Sequence, residues 1–297
     1  MKSFRDRGSV SGFTLIEMLI CIGIIAILVG LILPAVVSAR ASARKLACSS
    51  RLRELALATA QFELANRHIP PNLTSVYRQW QYHLLPHLEQ PEVYSVIASH
   101  QPSAANIQYE WLTLASFLCP EAPGSDIPMR QNVTNRLVGK SDYVGVSGTT
   151  EMLADGVFPP YGEGIGGAQS KGLRLRDIVD GLSNTVMYGE RPPTNNGAVG
   201  SWLRGLSYMN GTVGVRESGP FYLGQGANLM AGCGPQRFQE GSSNNACSAA
   251  HNWSYHASGA HFVTVAGAVV YYPYSIEGQV LDRLATRNGG EIVFNDY

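Results

Sequence analysis

The chain has 297 residues, and its 22 Lys and Arg balance 22 Asp and Glu, so the formal net charge is zero. Hydrophobic residues make up 45% of the sequence and charged residues 15%, which excludes a disordered chain and, by overall charge, a basic nucleic-acid binder. The 32 Gly and 16 Pro predict many turns and short strands.

The longest apolar segment lies near the N-terminus. No charged residue occurs from Met18 to Val37, and about 20 apolar residues at 1.5 Å per residue span the core of a bilayer. A short basic leader containing Lys2, Arg5 and Arg7 precedes it. Because the apolar core of a secretory signal peptide has only about 7–15 residues, the length favours a membrane helix over a signal peptide.

A carboxylate, Glu17, stands at the head of this apolar segment. An acidic residue inside a membrane helix costs about 2.5–3.5 kcal/mol and therefore marks a candidate functional site. Residues 12–17 read GFTLIE. Followed by an apolar helix, this segment resembles the leader junction of type IV pilins and type II secretion pseudopilins.

The resemblance implies how the N-terminus is processed. In those proteins a prepilin peptidase cuts after the Gly and methylates the new N-terminal Phe, which here are Gly12 and Phe13. It also implies that Glu17 serves filament assembly by pairing with the N-terminal amine of a neighbouring subunit, and that Pro34 kinks the helix. The implied partners are prepilin peptidase, other pilin or pseudopilin subunits and inner-membrane lipid. No nucleic acid is expected.

The helical pattern continues beyond the membrane segment. Residues 38–66 contain neither Gly nor Pro, and one helical face is formed by residues three or four apart. These residues are Cys48, Leu52, Leu55, Thr59 and Phe62. We therefore divide the chain into a leader (1–12), a pilin-like helix (13–66, with the membrane segment at about 15–37) and an extracytoplasmic globular domain (67–297).

The globular domain is predicted to contain short elements only. Residues 80–99 predict one or two short helices broken by proline, and residues 278–286 predict a final helix. The predicted strands are 116–118, 143–146 and 185–188, with a hairpin over 261–272. The expected fold class is α+β, in which a long N-terminal helix packs on an antiparallel β-sheet with long loops.

Five motifs in this domain occur in a recognisable order. They are LLPHLEQ (84–90), FLCP (117–120), YVGV (143–146), DGLSNT (180–185) and LATRNGGE (284–291). Together with the leader, they resemble the bacterial pseudopilin-like family labelled domain of unknown function 1559. That family carries an H-x9-D-G signature. Here nine residues separate His256 from Ala266-Gly267, so the Asp is replaced by Ala, and a less favourable two-residue hairpin turn is expected.

Patterns that could support catalysis or cofactor binding are weak. Residues 162–167 match G-x-G-x-x-G but follow no strand, which argues against a dinucleotide site. His251, His256 and His261 recur near Cys247, but the strand that begins at His261 is expected to separate them. Asp177 and Asp180 are candidates for a calcium site, but Asp-Gly followed by Ser-Asn at residues 180–184 is more typical of a turn. We expect no enzyme activity, cofactor or metal.

Two cysteine pairs are candidates for disulfides outside the cytoplasm. Cys48 lies on the domain-facing helical stripe and Cys119 ends a predicted apolar strand, so we predict that they form one disulfide. Cys233 and Cys247 form the second predicted pair, and Cys21 stays free in the membrane. Sequence alone permits three pairings of four cysteines. The alternative is that Cys48 and Cys119 are small buried apolar residues without a disulfide.

Two classes of function fit these observations. The favoured one is a structural subunit of a type II secretion or type IV pilus-type filament. The alternative is a membrane-tethered binding or adhesive protein that uses the helix only as an anchor. The resemblance to pilins implies a single-pass protein of the inner membrane with its C-terminal domain outside the cytoplasm.

Overall fold

The computed structural model describes residues 13–75, 78–99, 111–124, 126–130, 137–149, 155–158, 172–195, 212–214, 216–217 and 236–290. The predicted leader lies outside these residues. By its contacts the chain divides into two compact units, Met1–Ala43 and Arg44–Tyr297.

One long helix, α1, runs from Leu15 to Asn66. This confirms the predicted N-terminal helix, and Pro34 lies inside the helix without ending it. In the first unit, every described residue from Phe13 to Ala43 is exposed. α1 therefore contains a segment that is long and apolar enough to cross a membrane, and none of that segment is buried by protein.

The second unit contains three further short helices and eleven strands among the described residues. The helices are α2 (Trp80–Leu84), α3 (Pro91–Ser99) and α4 (Gly278–Ala285). The first four strands are β1 (Leu73–Ser75), β2 (Arg78–Gln79), β3 (Met129–Arg130) and β4 (Leu137–Val138). The others are β5 (Tyr143–Gly148), β6 (Val186–Glu190), β7 (Thr212–Gly214), β8 (Arg216–Glu217), β9 (Gln236–Arg237), β10 (Gly259–Thr264) and β11 (Val269–Pro273).

A five-stranded sheet forms the centre of this unit, with the strand order β11-β10-β6-β5-β7. Neighbouring strands are antiparallel except for β5 and β7, which are parallel. In the middle of the sheet, Tyr188 of β6 lies opposite Gly145 of β5 and Val263 of β10. The α+β class with a long helix and a mainly antiparallel sheet agrees with the prediction.

Both faces of the sheet are covered. The predicted stripe of α1 is buried in its entirety, and Thr59 Oγ1 lies 2.7 Å from the hydroxyl of Tyr188. The fully buried ring of Trp80 packs on Tyr188, with 4.4 Å between ring centroids. A second apolar cluster covers strand residues such as Phe262 with Leu281 and Leu284 of α4. Burial on both faces explains why these strands lack a polar face.

Two local predictions differ from the structure. Residues 116–118 were expected to form a strand, but Ala115–Phe117 is a single 3-10 turn, closed by a bond from the Leu118 N–H to the Ala115 carbonyl. In the β10–β11 hairpin, Gly267 alone has a left-handed backbone (φ +87°), and its N–H donates to the Thr264 carbonyl. Ala266 needs no positive φ in this longer turn, so the expected cost of Ala in place of Asp does not arise.

Candidate functional site

The first candidate site is the start of α1, where Glu17 closes a capping box with Thr14. The Thr14 N–H and hydroxyl both donate to Glu17 Oε2 at 2.8 Å, and the Glu17 N–H donates to Thr14 Oγ1 at 3.3 Å. Thr14 precedes the first helical residue and Glu17 is the third, the spacing of a capping box. Two backbone N–H groups that the helix leaves unpaired are thereby satisfied.

This geometry gives Glu17 a role within a single chain. Only an intermolecular role was expected from the sequence, although the T-x-x-E spacing was visible at residues 14–17. Thr14 uses only Oε2 of the carboxylate. The predicted N-terminal residue, Phe13, is 70% exposed, and Gly12 lies outside the described residues.

The second candidate site surrounds a disulfide between Cys48 of α1 and Cys119, the pair proposed from the sequence. Their Cα atoms are 4.8 Å apart and both residues are buried. The bond ties α1 to the loop after the 3-10 turn. Cys247 is also disulfide-bonded, and its predicted partner Cys233 lies outside the described residues. Cys21 is free and exposed.

A buried carboxylate, Glu190 at the end of β6, binds two histidines beside this disulfide. His256 Nε2 lies 3.1 Å from Oε1, His261 Nδ1 lies 3.2 Å from Oε2, and the His261 backbone N–H donates to Oε2 at 2.7 Å. Burial raises the pKa of Glu190, but the hydrogen bonds from His256 and His261 outweigh it, so the pKa lies below its ordinary value. Glu190 is therefore ionised at neutral pH.

The histidines come together although the strand β10 was expected to separate them. The rings of His256 and His261 meet edge to face with 4.9 Å between their centroids. Ser258, between them, has a left-handed backbone (φ 63°) just before β10 begins at Gly259. His251 does not belong to this group. Its Nδ1 lies 2.9 Å from the Asn252 carbonyl oxygen, and burial lowers its pKa to about 4.

The carboxylate–histidine pair reaches the disulfide directly. His256 Nε2 lies 3.6 Å from Cys119 Sγ. One potential ligand atom from each of Cys48, Cys119, Glu190 and His256 lies within 4.8 Å of the other three, and all four residues are buried. We call these four residues the Cys–His–Glu cluster. α1, the Cys119 loop, β6 and the segment before β10 each supply one member.

A second buried carboxylate, Asp142, borders this cluster. Its Oδ2 accepts the Cys119 backbone N–H at 2.7 Å, while Oδ1 is buried without a hydrogen-bond partner. Burial raises the pKa of Asp142 to about 7, although the N–H of Cys119 and the charge of Lys140 lower it. Neither Asp142 nor Glu190 was identified from the sequence, because no local pattern connects residues that only sheet pairing brings together.

The acidic residues weighed for calcium are engaged locally. Asp177 binds Arg174 in a local ion pair at 3.2 Å. Both oxygens of Asp180 accept backbone N–H groups, from Gly289 at 2.7 Å and Gly290 at 2.9 Å. These bonds fit the predicted turn rather than a cation site. The G-x-G-x-x-G segment lies outside the described residues.

Comparison with known families gives two matches. A family model described as "Protein of unknown function (DUF1559)" matches residues 37–279. A second, described as "Prokaryotic N-terminal methylation motif", matches residues 7–33. No curated protein and no solved structure matches the chain. The two matches coincide with the two resemblances drawn from the sequence and confirm them.

Proposed function

The chain belongs to the family described as protein of unknown function (DUF1559), whose model matches more than half of its length, and we propose that it is a pilin- or pseudopilin-like structural subunit. It would be cut between Gly12 and Phe13 by prepilin peptidase and would assemble into a type II secretion or type IV pilus-type filament. The match of residues 7–33 to the methylation motif carries this proposal. The role is structural rather than catalytic.

The exposure of α1 supports the proposal in both units. In the first unit an apolar helix without protein cover fits a membrane anchor. In the second unit three large apolar side chains remain exposed on α1, namely Leu46, Leu57 and Leu64. Spacings of 11 and 7 residues place them on one face of a helix with 3.6 residues per turn. Such a face suits packing against helices of neighbouring subunits.

The disulfide supports the proposed topology. Disulfides persist in oxidising compartments and are rare in the cytoplasm, so the Cys48–Cys119 bond favours a globular unit outside the cytoplasm. We propose a single-pass protein of the inner membrane whose leader faces the cytoplasm.

The capping box favours a second candidate function, a membrane-tethered binding or adhesive protein. If Glu17 only caps α1 through Thr14, the helix needs no neighbouring subunit to account for this carboxylate. The two functions differ in what they require of Glu17. Capping requires a side-chain acceptor, which Gln also supplies, whereas pairing with an N-terminal amine requires the negative charge.

A set of three variants separates these functions. We would express Glu17→Gln, Glu17→Ala and Thr14→Ala in a host with an active filament machinery and measure the chain in sheared filaments and in membranes. Filament assembly through the charge predicts that both Glu17 variants are lost from filaments while Thr14→Ala assembles. The two Glu17 variants should insert normally because removing a charge eases insertion, and Thr14→Ala should insert normally because it leaves the charge unchanged.

The opposite pattern would contradict the filament proposal. If Glu17→Gln assembles like the unmodified chain while Glu17→Ala and Thr14→Ala are impaired, Glu17 acts as a cap alone. Absence of the unmodified chain from filaments, with normal amounts in membranes, would favour the tethered protein.

A further inference from the structure

The Cys–His–Glu cluster combines four residues of the types that bind metals, although the disulfide engages two of them. Thiolate, imidazole and carboxylate groups are the ligands of zinc in proteins. In structural sites, four such ligands surround the ion in a tetrahedron. His256 Nε2 is already 3.6 Å from Cys119 Sγ and 3.1 Å from Glu190 Oε1. Tetrahedral ligands at ordinary zinc distances of about 2.0–2.3 Å lie roughly 3.3–3.8 Å apart.

We propose that, when the Cys48–Cys119 bond is reduced, the Cys–His–Glu cluster binds one zinc ion through both sulfurs, His256 Nε2 and a Glu190 oxygen. Disulfide and zinc then exclude each other, since each uses both sulfurs. Either state links α1 to the Cys119 loop. The inference is independent of the proposed filament role.

Hydrogen bonds from neighbouring groups already orient the ligand residues, as in established metal sites. The backbone N–H of His261 fixes Glu190 Oε2 at 2.7 Å, while Oε1 lies 3.1 Å from His256 Nε2 and 3.3 Å from His261 Nδ1. The Tyr143 hydroxyl donates to the Cys48 carbonyl at 3.1 Å. The two sulfurs must move apart to accept the metal.

A carboxylate with one unpartnered oxygen, Asp142, borders the same cluster. Asp142 Oδ2 binds the backbone of Cys119, while Oδ1 is buried without a partner. Burying a carboxylate without full compensation is costly.

Conversion of the disulfide into two thiols requires a reductant, and a phosphine supplies the two electrons. The disulfide, one phosphine and one water yield two thiols and one phosphine oxide, so the sulfurs gain two electrons and phosphorus loses two. Zinc binding then displaces the two thiol protons, and the imidazole and the carboxylate each donate a lone pair. Reoxidation by a disulfide compound of low molecular weight forms the Cys48–Cys119 bond, gives two thiols of that compound and releases the ion.

Cobalt(II) tests the ligand set in the full chain, purified in detergent. In a Cys21→Ser, Cys233→Ser, Cys247→Ser background, only Cys48 and Cys119 remain. After reduction by a phosphine we expect one equivalent of cobalt, with thiolate-to-metal charge-transfer absorption and the visible bands of a tetrahedral site. Adding Cys48→Ser should reduce the charge-transfer absorption by about half, since one of two thiolates is lost.

Histidine variants and a stability measurement complete the test. We expect His256→Ala to weaken cobalt affinity at least about tenfold, whereas His87→Ala, a partly exposed histidine outside the cluster, should leave it unchanged. Zinc should raise the melting temperature of the reduced chain by several degrees and leave that of the oxidised chain unchanged. This shift distinguishes a folded site from metal bound to unfolded thiols.

Several results would overturn the proposal. They are absence of stoichiometric cobalt binding after reduction, equal binding by the oxidised chain, full charge-transfer absorption in the absence of Cys48, and unchanged affinity in His256→Ala. Cobalt binding without a zinc-dependent rise in melting temperature would also overturn it.

Discussion

The N-terminal segment of α1 (Leu15–Ala43) and its domain segment (Arg44–Asn66) have the same backbone structure but different surroundings. In the N-terminal segment every residue is exposed and the sequence is apolar around most of the helix. In the domain segment a single stripe is buried, while Leu57, on another face, is 59% exposed. Helical structure is thus compatible with either pattern, and the distribution of apolar residues decides what each segment packs against.

The domain segment is tied to the globular unit by covalent and apolar contacts that the N-terminal segment lacks. Substitutions that remove these contacts should lower the free energy of unfolding, whereas a substitution on the exposed face of α1 should change it little.

Removing the disulfide should have the largest effect. Cys48 and Cys119 are separated by 71 residues, and closing a loop of this size stabilises a fold by roughly 4 kcal/mol in the chain-entropy description. We expect Cys48→Ala/Cys119→Ala to lower the free energy of unfolding by about that amount, measured by denaturant titration of the full chain in detergent. Cys21→Ala is the matched control, and an equal loss there would contradict the assignment.

Shortening one buried side chain of the stripe should have a slightly smaller effect. Leu52 is fully buried between α1 and the sheet, and Leu→Ala in a core costs about 2–5 kcal/mol through lost burial and the remaining cavity. We expect Leu52→Ala to lower the free energy of unfolding by about 3 kcal/mol, monitored by tryptophan fluorescence. A change below about 0.5 kcal/mol, the range of surface substitutions, would show that the stripe is not packed.

Acid should weaken the end of α1 through His83, which contacts Phe62. Burial, together with the charges of Arg78 and His68, lowers the pKa of His83 to about 4 from its ordinary 6.5. The unfolded chain therefore binds the proton first, and stability is lost as pH falls from about 6.5 to about 4.

The matched variant isolates this effect. Between pH 7 and pH 4, His83→Gln should lose roughly 1–2 kcal/mol less stability than the unmodified chain. Identical pH profiles for the two proteins would contradict a lowered pKa of His83 in the folded chain.

The smallest effect on folding is expected at Leu57, on the exposed face of α1. Leu57→Ala should change the free energy of unfolding by less than about 0.5 kcal/mol, in contrast to Leu52→Ala. If this face contacts neighbouring subunits, the same variant should be depleted from sheared filaments. Normal recovery of Leu57→Ala in filaments would leave the exposed face without a role in assembly.

Features that depend on local spacing could be predicted from the sequence. The stripe from Cys48 to Phe62 repeats every three or four residues, and all five members are buried as expected. The β10–β11 hairpin and α4 were also predicted close to their observed bounds. The capping box of Thr14 and Glu17 is another such feature, because its T-x-x-E spacing can be recognised in the sequence alone.

Features that depend on distant regions of the chain could not be predicted. Residues 116–118 contain an apolar pair typical of a strand, but the segment turns locally instead. Glu190 and His256 are 66 positions apart and meet only because β10 pairs with β6. Pairing of distant strands leaves no periodic signal at either residue. The Cys–His–Glu cluster could therefore be identified only from the structure.

The N-terminus of the mature chain tests the central claim most directly. In membranes of a host with active prepilin peptidase, intact-mass and terminal-peptide measurements should find a chain that begins at Phe13 and carries one added methyl group. A Gly12→Val variant should keep its leader. An unmodified chain that still begins at Met1, or one that begins near Arg40 as after cleavage of a secretory signal, would contradict processing by prepilin peptidase.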